Sequence, residues 1–212
     1  MSQAVLEKIL EGKIIAIVRG IPSTKIVGLA QALEKGGVNC IEVTFDQTSE
    51  EKAKDTLAAI RAIKDALGDK VCVGAGTVMS VEQVHQAVEA GAEYMISPNV
   101  NEAAIRENKV SIPGAMTPTE AAFAYECGAD IVKLFPAGLL GAAYIKAVKA
   151  PLKHIPVTAV GNVNVENCAE FLKAGAVGVG VGGSLVSAKL VDEGRFDEIT
   201  ATAKAYVEAL AR

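Results

Sequence analysis

The chain of 212 residues predicts an α/β fold, a (β/α)8 barrel with an extra N-terminal helix, and three observations carry that expectation. Eight short apolar runs alternate with eight helical patterns, joined by short connections without a linker or low-complexity stretch. A punctuating unit recurs: Glu34-Lys-Gly-Gly-Val38, Glu89-Ala-Gly-Ala-Glu93, Glu126-Cys-Gly-Ala-Asp130 and Lys173-Ala-Gly-Ala-Val177 each close a helical pattern and open a strand. Gly36, Gly91, Gly128 and Gly175 are placed there to take the left-handed conformation at a helix end, where a Cβ is costly. The composition agrees: 50% hydrophobic, 4% aromatic and no Trp, rich in the small and branched residues that suit buried parallel strands. A doubly wound sheet is the competing architecture, but no Gly-rich dinucleotide turn follows the first strand. The length suits one barrel domain over residues 1–212.

Taken in order, residues 2–11 form the extra helix, an amphipathic stretch bearing Glu7, Lys8 and Glu11 that caps the N-terminal mouth. Strands are expected at Ile14–Arg19, Cys40–Thr44, Val71–Ala75, Tyr94–Ser97, Val110–Ile112, Ile131–Phe135, Val157–Val160 and Val177–Val181. Helices follow at Thr24–Lys35, Glu50–Leu67, Val81–Ala90, Asn101–Glu107, Pro118–Cys127, Leu140–Ala150, Val165–Ala174 and Arg195–Leu210. The pattern at Asn101–Glu107 is the weakest, barely two turns long.

Several function classes are disfavoured. A formal net charge of −4 argues against a nucleic-acid or anionic-membrane partner, though not against a local pocket for an anion. The N-terminus has no signal-peptide pattern and no long apolar span appears, so the expected location is cytoplasmic. Cys40, Cys72, Cys127 and Cys168 stand far apart, without zinc or redox spacing; Cys40 and Cys72 fall in strands, where a reduced cysteine acts as a small hydrophobe. His85 and His154 suit surface or structural roles better than ligation. No metal and no cofactor is expected.

Lys133 is the residue most charged with meaning. It sits in Asp130-Ile-Val-Lys-Leu-Phe-Pro-Ala-Gly138, in a strand that reads as buried. A lysine there must hide its stem and either lose its proton or find a partner. Desolvation lowers an amine's pKa, and a neutral amine can form a Schiff base with a carbonyl substrate. The alternative is a lysine snorkelling from a strand end. Strand alternation sends Ile15, Ile17 and Arg19 inward from the first strand, Cys40, Glu42 and Thr44 from the second, and Ile131, Lys133 and Phe135 from the sixth. A carboxylate and an amine thus converge where branched aliphatics are the rule. A purely structural ion pair stays open, but desolvation makes such a pair a weak stabiliser.

Two glycine-bearing turns follow the last strands, Gly161-Asn162-Val163 and Gly182-Gly183-Ser184. Barrels that bind phosphate present backbone N–H groups at these positions. Val73-Gly-Ala-Gly-Thr77 lacks nucleotide-turn spacing. Its Gly74 and Gly76 are expected to let the backbone approach a small ligand, with the Thr77 hydroxyl donating to it. Pro98 and Pro113 either wall the pocket or simply end their strands.

Ile41-Glu-Val-Thr44, Val73-Gly-Ala-Gly-Thr-Val78, Ile96-Ser-Pro98, Ile112-Pro-Gly114, Val132-Lys-Leu-Phe-Pro136 and Gly182-Gly-Ser184 stand in the order found in the 2-keto-3-deoxy-6-phosphogluconate / 4-hydroxy-2-oxoglutarate (KDPG/KHG) aldolases, which the chain resembles over essentially its whole length. The resemblance implies a homotrimeric barrel and a class I aldehyde-lyase. The reaction would cleave 2-keto-3-deoxy-6-phosphogluconate to pyruvate and glyceraldehyde 3-phosphate, 4-hydroxy-2-oxoglutarate to pyruvate and glyoxylate, or both. Lys133 would be the Schiff-base lysine and Glu42 the general acid/base. Thr77, Pro98 and Phe135 would line the pyruvate site, and Ser184, with Gly161, Gly182 and Gly183, would belong to the phosphate site.

Two positions depart from the family pattern. Many members carry Arg where this chain has Asp46, so Arg19 becomes the candidate for the substrate carboxylate, as an inward guanidinium able to bind it bidentately. A sister branch acting on the phosphogalactonate epimer also has a non-arginine residue there and an Arg-Gly in the first strand. Gly161-Asn162 replaces the usual Gly-Gly; Asn tolerates positive φ, but its side chain could crowd a phosphate. The alternatives are therefore the phosphogalactonate aldolase, a phosphosugar isomerase or epimerase that leaves the lysine unused, and a binding-only barrel.

Overall fold

The computed structural model describes residues 2–107 and 110–211. Helix α1 (Ser2–Gly12) leads into β1 (Ile14–Val18), α2 (Ser23–Lys35), β2 (Cys40–Thr44), α3 (Glu50–Leu67), β3 (Cys72–Gly76), α4 (Val81–Glu89), β4 (Tyr94–Ile96) and α5 (Glu102–Arg106). The second half runs through β5 (Ser111–Ile112), β6 (Gly114–Ala115), α6 (Pro118–Glu126), β7 (Val132–Leu134), α7 (Ala137–Leu140), α8 (Ala142–Lys149), β8 (Val157–Val160), α9 (Cys168–Lys173), β9 (Gly178–Val181), α10 (Ala188–Asp192) and α11 (Phe196–Leu210). Side-chain oxygens start several helices by accepting backbone N–H groups: Ser49 from Lys52, Ser80 from Gln83, Asn101 from Ala104 and Thr117 from Glu120. At Thr117 the Glu120 carboxylate returns the bond, completing a capping box.

The sheet order is β5-β4-β3-β2-β1-β9-β8-β7-β6, with the paired strands parallel. Its two ends are halves of one segment. The expected fifth strand, Val110–Ile112, continues through Pro113 to Ala115, pairing with β4 in its first half and with β7 in its second. Pro113 has no N–H for the ladder, so the strand breaks there while its carbonyl still accepts the Lys133 N–H at 2.9 Å. Nine strand segments thus make eight staves of a closed (β/α)8 barrel.

Other departures have local causes. The pattern expected over Leu140–Ala150 divides into α7 and α8 at Gly141, whose φ of 78° no helix accommodates. The helix expected from Val165 begins at Cys168, and α10 was not foreseen. Of the four helix-closing glycines, Gly91, Gly128 and Gly175 have positive φ as expected. Gly36 does not: its φ is −82°, and Gly37, at φ 89°, makes the left-handed turn instead. Gly36 serves packing, since a Cβ there would stand 2.4 Å from the Ala203 Cβ of α11.

Strand alternation sorts two cores. Ala16, Val18, Ile41, Val43, Val132 and Leu134 pack against the helices. Ile15, Cys40, Cys72, Tyr94, Ile96, Ile112 and Ile131 fill the barrel with Val5 and Ile9 of α1, so the amphipathic helix plugs the N-terminal end. Burying two such aliphatic side chains contributes roughly 1.5–3 kcal/mol each. All four cysteines are free and buried. Cys40 faces Cys72 across the β2–β3 ladder, and its hydrogen bond, followed by burial, pushes the Cys72 thiol far up. His85 pairs with Glu107 at 3.2 Å and His154 packs edge-on to Tyr125. No described helix is long and apolar enough to cross a membrane.

Candidate active site

At the C-terminal end of the strands lies a cavity of about 570 Å³. Arg19, Thr77, Pro98, Lys133, Phe135, Gly161, Gly182, Gly183 and Ser184 all line it, nine of the ten residues singled out from sequence. The tenth, Glu42, is fully buried and does not line it. Ile17, Val160, Asn162, Val163, Asn164 and Gly180 complete the lining; of these, the sequence places Ile17 facing inward and Asn162 and Val163 in a turn, and gives no sign of Val160, Asn164 or Gly180.

Lys133 stands at the centre of β7, only 8% exposed. Its register neighbours are Gly114 on one side and Thr158 on the other. Its Nζ sits 5.3 Å from the centroid of the Phe135 ring. Burial lowers its pKa, with Glu42 opposing and Arg19 adding to that shift. Glu42 moves the other way: burial raises its pKa against the pull of Lys133 and Arg19. Both groups are driven toward their neutral forms because desolvation outweighs their mutual attraction.

Glycine positions Glu42 in a way the sequence did not suggest. A Cβ at Gly76 would fall 1.7 Å from Glu42 Oε1, and one at Gly74 would fall 2.3 Å from the Tyr94 ring. The inward face of β3 is therefore bare so that the Glu42 carboxylate and the Tyr94 ring can lie over it. This corrects the expectation that Gly74 and Gly76 admit a ligand; protein side chains take that space. Glu42 Oε2, Thr44 Oγ1 and Tyr94 OH are buried there without a hydrogen-bond partner. The sequence marks Tyr94 only as the start of a strand; an alternating Gly-x-Gly beside an inward Glu is the signal that points to its role.

Thr77 follows β3 with φ 54°. For a β-branched residue this conformation costs of order 1–3 kcal/mol and persists only when neighbours enforce it. Gln47 does so by donating to the Thr77 carbonyl at 2.7 Å, and the next N–H, of Val78, bonds Ile96 O at 3.1 Å. The strain turns the Thr77 side chain to the cavity, where its hydroxyl meets Arg19 Nη2 at 3.4 Å. Asp46 is elsewhere. It accepts from Thr48 N–H at 2.8 Å, from the Thr48 hydroxyl and from Lys52 at 2.9 Å, and is absent from the cavity wall. The Thr48 hydroxyl bond, followed by Lys52 and the Thr48 N–H, lowers its pKa to about 2.

The two glycine turns close the far side. Gly161 and Asn162 both have positive φ, 94° and 53°. The carbonyls of Gly161, Asn162 and Val163 are each held: by Gly138 N–H at 2.8 Å, Asn167 Nδ2 at 3.0 Å and the Ser184 hydroxyl at 2.8 Å. In the second turn Gly182 O accepts from Leu185 and Val186 N–H. Among the described residues, no hydrogen bond within the protein uses the N–H groups of Asn162, Val163, Gly183 or Ser184. Free amides on two turns that line one cavity suit an anion.

The comparisons agree with this geometry. Residues 5–202 match the family model for KDPG and KHG aldolase. The 2-dehydro-3-deoxy-6-phosphogalactonate aldolase of Escherichia coli K12 is 37% identical over 202 residues, covering 93% of this chain and 96% of that protein. The 2-dehydro-3-deoxy-phosphogluconate aldolase of Treponema pallidum is also 37% identical, over 82% of each chain. Among solved structures, a native KDPGal structure superposes with TM-score 0.82 at 36% identity, covering 93% of this chain and 94% of that one. The Legionella pneumophila KDPG aldolase, holding pyruvate as a covalent carbinolamine, gives 0.84 at 25% identity over 97% and 98%. With its barrel, its motifs and these relatives in agreement, the chain belongs to the KDPG and KHG aldolase family and is an aldehyde-lyase.

Proposed function

We propose that this aldolase, acting as one barrel domain, cleaves a phosphorylated six-carbon 2-keto-3-deoxy acid to pyruvate and glyceraldehyde 3-phosphate through an imine on Lys133. The observation that carries the reading is Lys133 itself, a buried lysine of lowered pKa opening onto a cavity whose far wall offers free backbone amides. The neutral amine attacks the C2 ketone, and loss of water from the carbinolamine leaves a protonated imine. That imine accepts the electron pair of the breaking C3–C4 bond, releasing the aldehyde and an enamine. Protonation at C3 and hydrolysis then free pyruvate and return the amine.

Glu42 shuttles protons between these steps. Because Glu42 is fully buried and does not line the cavity, it works through a water, and Glu42 Oε2, Thr44 Oγ1 and Tyr94 OH provide buried polar partners for one. Arg19 holds the substrate carboxylate, with Thr77, Pro98 and Phe135 around the pyruvate portion. The turns at Gly161 and Gly182–Ser184 hold the phosphate, and 4-hydroxy-2-oxoglutarate is accepted more slowly. Between the gluconate and galactonate epimers, Arg19 on the cavity wall and Asp46 turned away from it favour the galactonate.

A homotrimer working in the cytoplasm completes the proposal. Met116, Phe123 and Phe135 are 41–49% exposed and share one groove beside the mouth, an apolar surface that suits a second copy. The four free cysteines suit a reducing compartment.

Borohydride added with pyruvate tests the core of this reading. One adduct should appear by mass, on Lys133, and vanish in Lys133→Met. Active protein that gains no adduct, or gains it on another lysine, would overturn the mechanism and restore the isomerase and binding-only readings.

A further inference from the structure

Tyr206 lies on α11, the last helix, outside the cavity and fully buried. Its hydroxyl donates to Ser184 Oγ at 2.9 Å, and the Ser184 hydroxyl in turn donates to Val163 O at 2.8 Å. This relay joins three separate parts of the chain: the final helix, the turn after β9 and the turn after β8. Its consequence for Ser184 is definite. A hydroxyl has one proton to give, and here that proton goes to Val163, so Ser184 offers an anion its backbone N–H and not its side chain. The separation of the two turns is then set by a serine whose own rotamer is held from behind by Tyr206. A buried tyrosine ring is a rigid support, and its hydroxyl would be costly to leave unpaired.

We infer that Tyr206 is a positioning residue for the anion-binding end of the cavity, holding the Gly182–Ser184 turn at the spacing from the Val163 turn that a phosphate requires. The inference rests on the phosphate reading of those turns. Tyr206 touches no substrate, and its effect should be confined to substrates that carry a phosphate.

The test measures KM and kcat for a phosphorylated six-carbon keto acid and for 4-hydroxy-2-oxoglutarate, with inorganic phosphate as a competing ligand. Tyr206→Phe keeps the ring and removes the relay. It should raise KM for the phosphorylated substrate and the inhibition constant of phosphate by about three- to tenfold, the scale of one lost hydrogen bond. The KM for 4-hydroxy-2-oxoglutarate should stay within about twofold, because its reacting end lies at Lys133. Ser184→Ala, which keeps the backbone N–H, should reproduce the effect, and the double variant should be no worse than either alone, as expected for one coupled unit. Ser184→Ala also serves as the test should Tyr206→Phe fail to fold. Equal changes on both substrates, or none, would make Tyr206 merely structural. A Ser184→Ala defect far beyond that of Tyr206→Phe would mean the serine hydroxyl meets phosphate directly, and the relay would be discarded. If the unaltered enzyme shows neither a preference for phosphorylated substrate nor inhibition by phosphate, the phosphate reading itself fails, and this inference with it.

Discussion

At the floor of the barrel Ile15, Cys40, Cys72 and Ile131 are sealed beneath Val5 and Ile9 of α1. Two residues further along the same strands, at the mouth, stand Ile17, Glu42, Gly74 and Lys133. The inward faces are continuous, yet one end is aliphatic and closed while the other buries a carboxylate and an amine. Floor residues gain free energy by leaving water. Glu42 and Lys133 lose it, as their opposite pKa shifts record. The floor and α1 hold the barrel together, so that the mouth can keep groups that a stable core would exclude.

The strongest way to break that division is at Glu42. Glu42→Gln should lower cleavage by roughly 10²–10⁴ in single-turnover kinetics, and near-normal rates would show the proton shuttle has been misplaced. The same variant also relieves the cost of burying the carboxylate. Glu42 has a folded pKa above the 4.5 of a free carboxyl, so the folded protein holds more protons. Stability is full below that value and falls as pH rises toward the folded pKa. Glutamine removes the titration, so the Tm advantage of Glu42→Gln over the unaltered protein should grow from about pH 4 toward neutrality.

A floor substitution should do the opposite. Ile9→Ala leaves a gap under the barrel and should cost about 2–4 kcal/mol in urea unfolding, with kcat per folded molecule unchanged. A loss of kcat without a loss of stability would mean that the two ends are not separate in function.

Within the mouth, Arg19→Leu should weaken pyruvate binding by about 1.5–3 kcal/mol, the worth of a charged hydrogen bond. Calorimetry on the folded variant decides it, and unchanged affinity would remove Arg19 from the site. The smallest effect belongs to Asp46→Asn. Its carboxylate faces Thr48 and Lys52 in solvent, so pyruvate affinity should not change; a clear gain in binding would show that its charge reaches the cavity.

Much of this was legible along the chain because parallel strands and amphipathic helices are local patterns. Alternation alone sent Glu42 and Lys133 inward, and β2, β8 and α3 begin and end where the periodicity places them. Ends and breaks were less legible. Pro113 interrupts a strand without stopping the chain's course, and Gly36 follows the pattern of the other helix-closing glycines but is required by Ala203, more than 160 residues away.

The barrel, its amphipathic plug, the buried amine and carboxylate, and the glycine turns are all written in the chain, since each rests on residue types at short spacing. Which space each glycine vacates, and for whom, depends on the folded barrel: Gly76 for Glu42 and Gly74 for Tyr94, not for a ligand. The folded barrel also decides that Asp46 turns out to Lys52, that Gln47 and the Val78–Ile96 bond hold Thr77 at positive φ, and that Tyr206 reaches Ser184. The reason is physical. Period and propensity act within a few residues, whereas these contacts join side chains far apart in sequence, and close packing fixes them only once the barrel has closed.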